Sequence, residues 1–412
     1  MPAQRESVAV EVGDPRLGLD GPIGRLSHDR RRPPGTFSFE YTREWLDHPT
    51  AVAIDPALPL APGETHRRSL PGVFADASPD RWGRLLLDRR EQILARRGGR
   101  PPRTLGDWDY LLGVQDETRM GALRVRDDAG RFLAQQQLAV PPLAELREVE
   151  HLAQAFEQGR PMPPGDDERW LATLIAPGSS LGGARPKATF RDPDGSLWLA
   201  KFPSLNDRRD MGAWEYVLHR LAGRAGVTVP QARLLSLGSA HHTFCTRRFD
   251  RSDGGRRLYA SAMTLTGRSD REPASYLDIA VAQEQYGDAD TLDEDLHQLY
   301  RRAVFNVRAA HRDDHLRNHG FLHDGRGWRP SPAFDLNPLP ELAFHALALD
   351  DTSTVPSLET VRAGAPLYRL SPAEADQIIE EVADALLPWR QVAREASLPR
   401  QEIDDMAPVM DR

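Results

Sequence analysis

The sequence predicts an α+β fold in two lobes, a mixed lobe followed by a mainly helical one, with a small α+β subdomain in front. The first third alternates short strand-like runs with helical patterns. The middle carries two strand-like runs joined by the turn-forming residues 192–195, and the last third carries several amphipathic helical patterns. Pro- and Gly-rich stretches indicate the boundaries: residues 1–135, 136–255 and 256–412.

Composition is that of a globular protein without a membrane segment. The chain has 412 residues, of which 40% are hydrophobic, and no run approaches the roughly 18 apolar residues of a membrane span. The N-terminus has no basic-then-apolar signal, which predicts a cytoplasmic location. The single cysteine, Cys245, excludes an intramolecular disulfide and fits a reducing compartment. The net charge of −8 argues against broad nonspecific binding of nucleic acid.

The subdomain contains no recognisable catalytic constellation, so the sequence predicts a scaffold or a partner-binding role for it. Its clearest element is a helix that ends at Arg97, before a Gly-Gly pair. We expect that helix to begin with Ser78 as the cap and Pro79 in the first turn.

Residues 311–318, HRDDHLRN, have the H-R-D-x-x-x-x-N spacing of a protein-kinase catalytic loop. In that loop an Asp accepts the proton of the substrate hydroxyl, and an Asn reaches a magnesium ion on the nucleotide phosphates. Asp313 is therefore the candidate base and Asn318 a candidate metal ligand. Asp335 follows a predicted hairpin and is the candidate second metal ligand. The alternative is a polar turn whose charges are merely solvated.

Lysine usage gives an independent signal. Of 53 basic residues only Lys187 and Lys201 are lysines. They are candidates for positions where arginine cannot replace a compact point charge, although accidental survival at the surface is the alternative. Lys201 ends a strand-like run, as does the kinase lysine that contacts nucleotide phosphates. Glu215, on the next predicted helix, is a possible partner for it, or a solvated helix glutamate.

Two further stretches bear on nucleotide binding. Residues 177–187, PGSSLGGARPK, form a flexible turn whose backbone N–H groups could cradle phosphate oxygens. The turn lacks both common Gly-rich phosphate motifs, so an ordinary surface loop is the alternative. Phe249 lies where a strand runs into a polar link, which is the position of the adenine pocket in a two-lobed kinase. It could equally be a core residue.

Taken together, these motifs resemble the HipA-type serine/threonine kinase toxins of bacterial toxin–antitoxin pairs. The resemblance rests on residues 180–187 (SLGGARPK), 201–203 (KFP), 248–251 (RFDR), 313–318 (DDHLRN) and 331–335 (SPAFD). Residues 74–83 also resemble the N-terminal region of that family. The resemblance implies a two-lobed protein-kinase-like fold that uses ATP and Mg²⁺.

The resemblance also implies roles for individual residues. Asp313 would be the catalytic base, and Asn318 and Asp335 would hold the metal. Contacts to ATP would come from Ser180, Gly182, Gly183, Lys187, Lys201 and Phe249. Ser180 would also be the loop serine that the enzyme phosphorylates on itself. A phosphate there adds about −1.5 to −2 charge, which would expel the loop from the ATP site and inactivate the enzyme.

The resemblance further implies partners. They are a small DNA-binding antitoxin of the HipB kind, DNA reached mainly through that antitoxin, and a protein substrate of the translation machinery, with an aminoacyl-tRNA synthetase as the best-known kind.

Three other functions remain open from the residues alone. The first is a catalytically silent binding module or corepressor that acts with a DNA-binding antitoxin. The second is a metal-dependent hydrolase, since His311, His315 and His319 would share one face if they were helical. The third is a small-molecule kinase.

Overall fold

The computed structural model describes residues 5–18, 21–31, 35–134, 140–159, 174, 185–252, 255–270 and 272–411. The chain divides into two compact units. The first comprises Met1–Ala200 with Asp250–Ala260, and the second comprises Lys201–Phe249 with Ser261–Arg412. The three-part division expected from the sequence stays a prediction. In the part of the chain that the structure describes, no helix is both long and apolar enough to cross a membrane.

The first unit begins with a five-stranded sheet. Its strands are β1 (Arg5–Val12), β2 (Pro22–Asp29), β3 (Thr36–Tyr41), β4 (Thr65–Arg67) and β5 (Leu123–Arg126). All neighbours are antiparallel, in the order β4-β3-β2-β1-β5. Leu26 pairs with both Val8 and Phe39, and all three are buried. Because successive side chains of a strand point to opposite faces of the sheet, these three residues share one face, and that face forms part of the hydrophobic core.

In the helices of the first unit, one prediction, the identity of a helix cap, is wrong. They are α1 (Arg43–Leu46), α2 (Gly72–Asp76), α3 (Arg81–Arg97), α4 (Asp107–Gly113) and α5 (Leu146–Glu157), the last preceded by a 3-10 turn at Leu143–Glu145. Asp80, not Ser78, caps α3, since its carboxylate accepts a 2.9 Å bond from the Gly83 N–H. Ser78 instead donates to the carbonyl of Phe74. The carboxylate of Asp80 satisfies an N–H group of the first turn and also complements the positive end of the helix.

The predicted hairpin in the middle of the chain is confirmed. Strands β6 (Lys187–Arg191) and β7 (Leu197–Lys201) are neighbours. The turn closes where Asp192 N–H donates to Ser196 and Gly195 N–H donates to Asp192, both at 2.9 Å. Lys187 thus begins this hairpin and Lys201 ends it. Further short strands lie at Arg251–Ser252, Gly255–Arg256 and Tyr259–Ser261.

The second unit is mainly helical. Its helices are α6 (Met211–Arg224), α7 (Ala262–Thr266), α8 (Tyr276–Tyr286), α9 (Leu292–Arg308), α10 (Leu358–Ala363), α11 (Pro372–Leu386), α12 (Trp389–Glu395) and α13 (Arg400–Met410), with 3-10 turns at Leu316–Asn318 and Ala365–Tyr368. Helix α9 buries an apolar stripe formed by Leu296, Leu299, Val304 and Val307. A capping box made by Ser371 and Glu374 starts α11.

Two antiparallel strand pairs complete the second unit. They are β8 (Ala232–Leu235) with β9 (Thr243–Arg247), and β10 (Gly320–His323) with β11 (Trp328–Pro330). The second pair is the hairpin predicted between Asn318 and Asp335, and its turn closes through Asp324 and Gly327. Residues 309–319, between α9 and β10, carry the predicted catalytic loop.

Candidate active site

In the second unit, two carboxylate side chains meet at Lys201. Its Nζ donates to Glu215 Oε1 and to Asp335 Oδ1, both at 2.6 Å. We call these three residues the lysine cluster. Burial alone would lower the pKa of Lys201, but the carboxylates of Asp335 and Glu215 outweigh it and raise that pKa. The side chain is therefore an ammonium ion at neutral pH.

Helix α6 brings Glu215 to the lysine. Asp210 caps the helix through a 3.0 Å bond from the Ala213 N–H. The Asp210 carboxylate also accepts from the backbone N–H of His242 at 3.1 Å. A Cβ at Gly212 would lie only 2.2 Å from the carbonyl oxygen of His242. The first turn of α6 thus packs directly on the backbone that precedes β9, one turn from Glu215.

Asp335 enters the lysine cluster through an uncommon backbone conformation. Its φ is 60°, which lies in the left-handed region that Asp tolerates better than most residues. The amide Nδ2 of Asn337 lies 3.3 Å from the same Oδ1 that binds Lys201. Such backbone outliers cost free energy and concentrate at functional sites.

The predicted catalytic loop begins at a sharp reversal after α9. Ala310 has a φ of 53°, and the N–H of His311 donates to the carbonyl of Asn306 at 3.0 Å. This is the helix-ending arrangement usually made by glycine. The chain then runs without regular structure through residue 315 and forms the 3-10 turn at Leu316–Asn318.

Asp313 and Asn318, the predicted base and metal ligand, lie together in this loop. The carboxylate of Asp313 is exposed and accepts no hydrogen bond from the described residues. Asn318 Nδ2 donates to the backbone oxygen of Asp313 at 3.0 Å. Its Oδ1 is buried and has no hydrogen-bond partner among the described residues. A small cavity lined by Asn318 is also lined by Phe334 and Leu336, the two neighbours of Asp335 in the chain.

Asp314, in contrast, is buried and hydrogen-bonded by Tyr276 Oη, Asn306 Nδ2 at 2.8 Å and His319 Nε2 at 3.1 Å. We call these four residues the Asp314 cluster. Burial alone would raise the pKa of Asp314, but His319 and His311 hold it well below its usual range. The idea of a merely solvated turn is therefore wrong for this residue. Sequence reasoning overlooked the role of Asp314, whose only local signal is a second acid in the motif.

Phe249 lies beside the chain segment that carries Asp335. Its ring is half-buried and stacks on that of Phe334, with the centroids 5.5 Å apart and the planes at 29°. Phe334 directly precedes Asp335 of the lysine cluster in the chain. One ring of this aromatic pair is therefore carried by the residue next to the cluster.

The remaining predicted contacts to ATP fall into two groups. Ser180, Gly182 and Gly183 lie outside the described residues. Lys187 belongs to the first unit, where it is buried and its Nζ lies 2.5 Å from Asp80 Oδ2. Asp80 also caps α3, so Lys187 ties β6 to the start of that helix. Sequence reasoning missed this pair because its members are 107 residues apart.

The three loop histidines do not form the arrangement that a hydrolase would need. Residues 311–315 are not helical, so the shared helix face is not formed. His311 Nδ1 contacts the carbonyl of Asn337 at 2.9 Å, and His319 binds Asp314. Across the described residues, no three His, Cys, Asp or Glu side chains are placed to hold a metal ion.

A solved structure shares this fold. HipA of Shewanella oneidensis MR-1, from a toxin–antitoxin complex with HipB and operator DNA, has a TM-score of 0.66 and 18% identity, covering 98% of this chain and 95% of that chain. The proinflammatory kinase CtkA of Helicobacter pylori covers 52% of this chain and 93% of that chain, but at 13% identity and a TM-score of 0.35 it supports no argument. The predicted two-lobed, kinase-like α+β fold is confirmed by the agreement with HipA.

Family models agree with the structural likeness. The HipA N-terminal domain matches residues 19–132, and the HipA-like C-terminal domain matches residues 179–389. No curated protein sequence matches significantly. Since the C-terminal model alone covers just over half of the residues, this chain belongs to the HipA family of toxin–antitoxin proteins.

Proposed function

We propose that this chain is an ATP-dependent serine/threonine protein kinase and the toxin of a toxin–antitoxin pair. The observation that carries the proposal is Lys201, held 2.6 Å from both Glu215 and Asp335. Kinases use a strand lysine held by a helix glutamate to orient nucleotide phosphates, with a metal-binding aspartate close by. A solvated surface lysine would need neither carboxylate.

The lysine cluster would receive the phosphates of ATP. Lys201 is a buried, fixed ammonium, and Glu215 holds it in place. The exposed part of the Phe249–Phe334 pair offers an aromatic surface on which a nucleobase could stack. Ser180, Gly182, Gly183 and Lys187 are proposed phosphate contacts on the family pattern alone.

Asn318 and Asp335 would hold Mg²⁺. Magnesium takes oxygen ligands, commonly one or two from the protein with the rest from phosphates and water. The donor set fits, because Asn318 has a buried Oδ1 that no described residue satisfies and Asp335 offers a carboxylate that is 25% exposed. When bound, the ion would neutralise charge on the phosphates.

Asp313 would accept the proton of the acceptor hydroxyl. As the hydroxyl oxygen bonds to the γ-phosphorus, the bond to the β–γ bridging oxygen breaks and ADP leaves. A carboxylate that is exposed and accepts no hydrogen bond from the described residues is free to take that proton. Asn318, which bonds to the backbone oxygen of Asp313, helps to fix the loop.

The partners are inferred from the family. The Shewanella HipA was solved with HipB and operator DNA, so we infer a small DNA-binding, HipB-like antitoxin through which this chain reaches DNA. We infer a protein substrate from translation, such as an aminoacyl-tRNA synthetase. Ser180 would be the site of inactivating autophosphorylation.

Mass spectrometry tests the proposal. The phosphatase-treated chain is incubated with ATP and Mg²⁺ beside Asp313→Asn, Ser180→Ala and the matched control Ser179→Ala. We expect phosphate on Ser180 in the parent and in Ser179→Ala, and none in Asp313→Asn. Ser180→Ala should phosphorylate a protein substrate without losing activity over time.

The opposite result is equally informative. A dephosphorylated parent that stays unmodified and binds no ATP would contradict the kinase proposal. The silent binding module or corepressor, acting with a DNA-binding antitoxin, would then be the better description.

A further inference from the structure

We infer that Glu402, on helix α13, is a positioning residue that holds helix α6 so that Glu215 stays on Lys201. Its catalytic consequence rests on the proposed kinase function, whereas its effect on Lys201 does not. Glu402 lies 192 residues from Asp210 and 188 residues from Trp214, the two residues whose N–H groups it binds. It belongs to none of the motifs seen in the sequence.

Glu402 binds the first turn of α6 at two points. Its Oε2 accepts from the backbone N–H of Asp210 at 3.2 Å and from the indole Nε1 of Trp214 at 2.9 Å. Asp210 is the cap of the helix, and Trp214 directly precedes Glu215. A carboxylate that accepts from two donors on one turn restrains both its position and its rotation.

The other side of this turn is also fixed. Asp210 is bonded by the backbone of His242, and Gly212 packs against the same residue. Trp214 is fully buried, and its ring lies 6.4 Å from that of Trp389 on α12. The turn is thus held between the backbone before β9 and the C-terminal helices. Removing Glu402 would release the side that faces α13.

A second tether gives a matched control. Arg220, on the later part of α6, pairs with Glu395 of α12 at 2.7 Å. Both side chains are more than a third exposed, so this pair contributes little. It joins the same helix to the same end of the chain without touching the turn next to Glu215. Loss of Glu395 should therefore leave Lys201 in place.

The chain suits a direct measurement, because it has only two lysines. We would acylate the purified chain with acetic anhydride and follow each lysine by mass spectrometry. Glu402→Ala should raise the rate of acylation at Lys201 about 5- to 30-fold, the range that loss of one or two hydrogen bonds allows. Glu402→Gln keeps an acceptor oxygen and should give an intermediate rate.

Two controls make the result specific. Lys187 is buried beside Asp80 in the first unit, so its rate should not change and reports on intact folding. Glu395→Ala should match the parent at both lysines. The inference is overturned if Lys201 reacts equally in the parent and in Glu402→Ala, or if Glu395→Ala raises its rate as much.

Kinase assays separate this inference from the proposed function. We expect Glu402→Ala to lower kcat about 2- to 30-fold and to leave the KM for the protein substrate unchanged. A parent that transfers no phosphate, together with a faster Lys201 in Glu402→Ala, would refute the function and uphold the positioning role. An active parent in which Glu402→Ala changes neither the acylation rate of Lys201 nor kcat would uphold the proposed function and refute the positioning role.

Discussion

Asp313 and Asp314 are adjacent in the chain and differ in almost every physical respect. Asp313 is exposed and accepts no hydrogen bond from the described residues, while Asp314 is buried and bonded by three side chains. The same functional group therefore sits in two environments one residue apart. One is suited to exchanging a proton with a substrate, and the other to remaining ionised inside the protein.

Under the proposed function, the difference explains how the loop can be rigid and still carry a reactive carboxylate. A carboxylate that must react cannot also be committed to several donors. The Asp314 cluster supplies the rigidity instead, because it ties the loop to α8 through Tyr276 and to α9 through Asn306. A reactive group held by the packing of its neighbour is a common form of preorganisation.

The largest expected effect comes from Asp313→Asn. Phosphoryl transfer should fall about 10²- to 10⁴-fold, since a general base contributes that much. The free energy of unfolding should change by less than about 0.5 kcal/mol, because the side chain is exposed. Transfer of radiolabelled phosphate and urea unfolding measure the two quantities. The exposed helix residue Asp405, changed to Asn, is the control and should alter neither. A large loss of stability in Asp313→Asn would break the contrast between the two aspartates.

Asp314→Asn should act mainly on stability. It removes the charge that three donors bind, and we expect the free energy of unfolding to fall by about 2–4 kcal/mol. Urea unfolding at neutral pH checks this. At a temperature where the variant is still folded, it should retain more phosphoryl transfer than Asp313→Asn does. A variant as stable as the parent would mean that the Asp314 cluster does not anchor the loop.

The stabilising effect of Asp314 should depend on pH. Its folded-state pKa is held below the usual range, so its contribution is present above the unfolded-state pKa of about 3.9 and is lost as the pH falls through the folded-state pKa. The difference in stability between parent and Asp314→Asn should therefore shrink as the pH falls below about 4. A difference that stays the same or grows on further acidification below that pH would contradict this assignment of charge.

Of the two changes in the Asp314 cluster, Tyr276→Phe should have the smaller effect on the free energy of unfolding. It removes one donor to Asp314 and keeps the buried ring, so the free energy of unfolding should fall by about 1–2 kcal/mol. Burial and the carboxylate of Asp314 raise the pKa of Tyr276 well above its ordinary value, so the hydroxyl stays a donor at any pH used. In a double-mutant cycle with Asp314→Asn the two losses should not add. Simple additivity would show that the two groups do not interact.

The site could be predicted where its residues carry local signals. The spacing of Asp313 and Asn318, the strand that ends in Lys201 and the hairpin before Asp335 are short-range patterns, and the structure has each strand where the sequence predicts it. For Glu215 the sequence allows two interpretations, a partner of Lys201 or a solvated helix glutamate. Its contact with Lys201 depends on how α6 packs, which no local pattern reveals.

The parts that escaped prediction depend on contacts between distant residues. Tyr276 and Asn306 look like ordinary helix residues in sequence, and only tertiary packing turns both toward Asp314. Lys187 and Asp80 meet across 107 residues. The cap of α3 was misplaced because two residues near Pro79 both favour a cap, and sequence preference alone does not rank them.

The close packing of Gly212 has a consequence for genetics. Any replacement of this glycine adds a Cβ that collides with the carbonyl of His242, so the start of α6 must move and Glu215 with it. Among cells that survive overproduction of a toxic chain, changed codons should therefore appear at Gly212 as well as at Asp313. Inactivating alleles would then map to a residue that bears no reactive group at all.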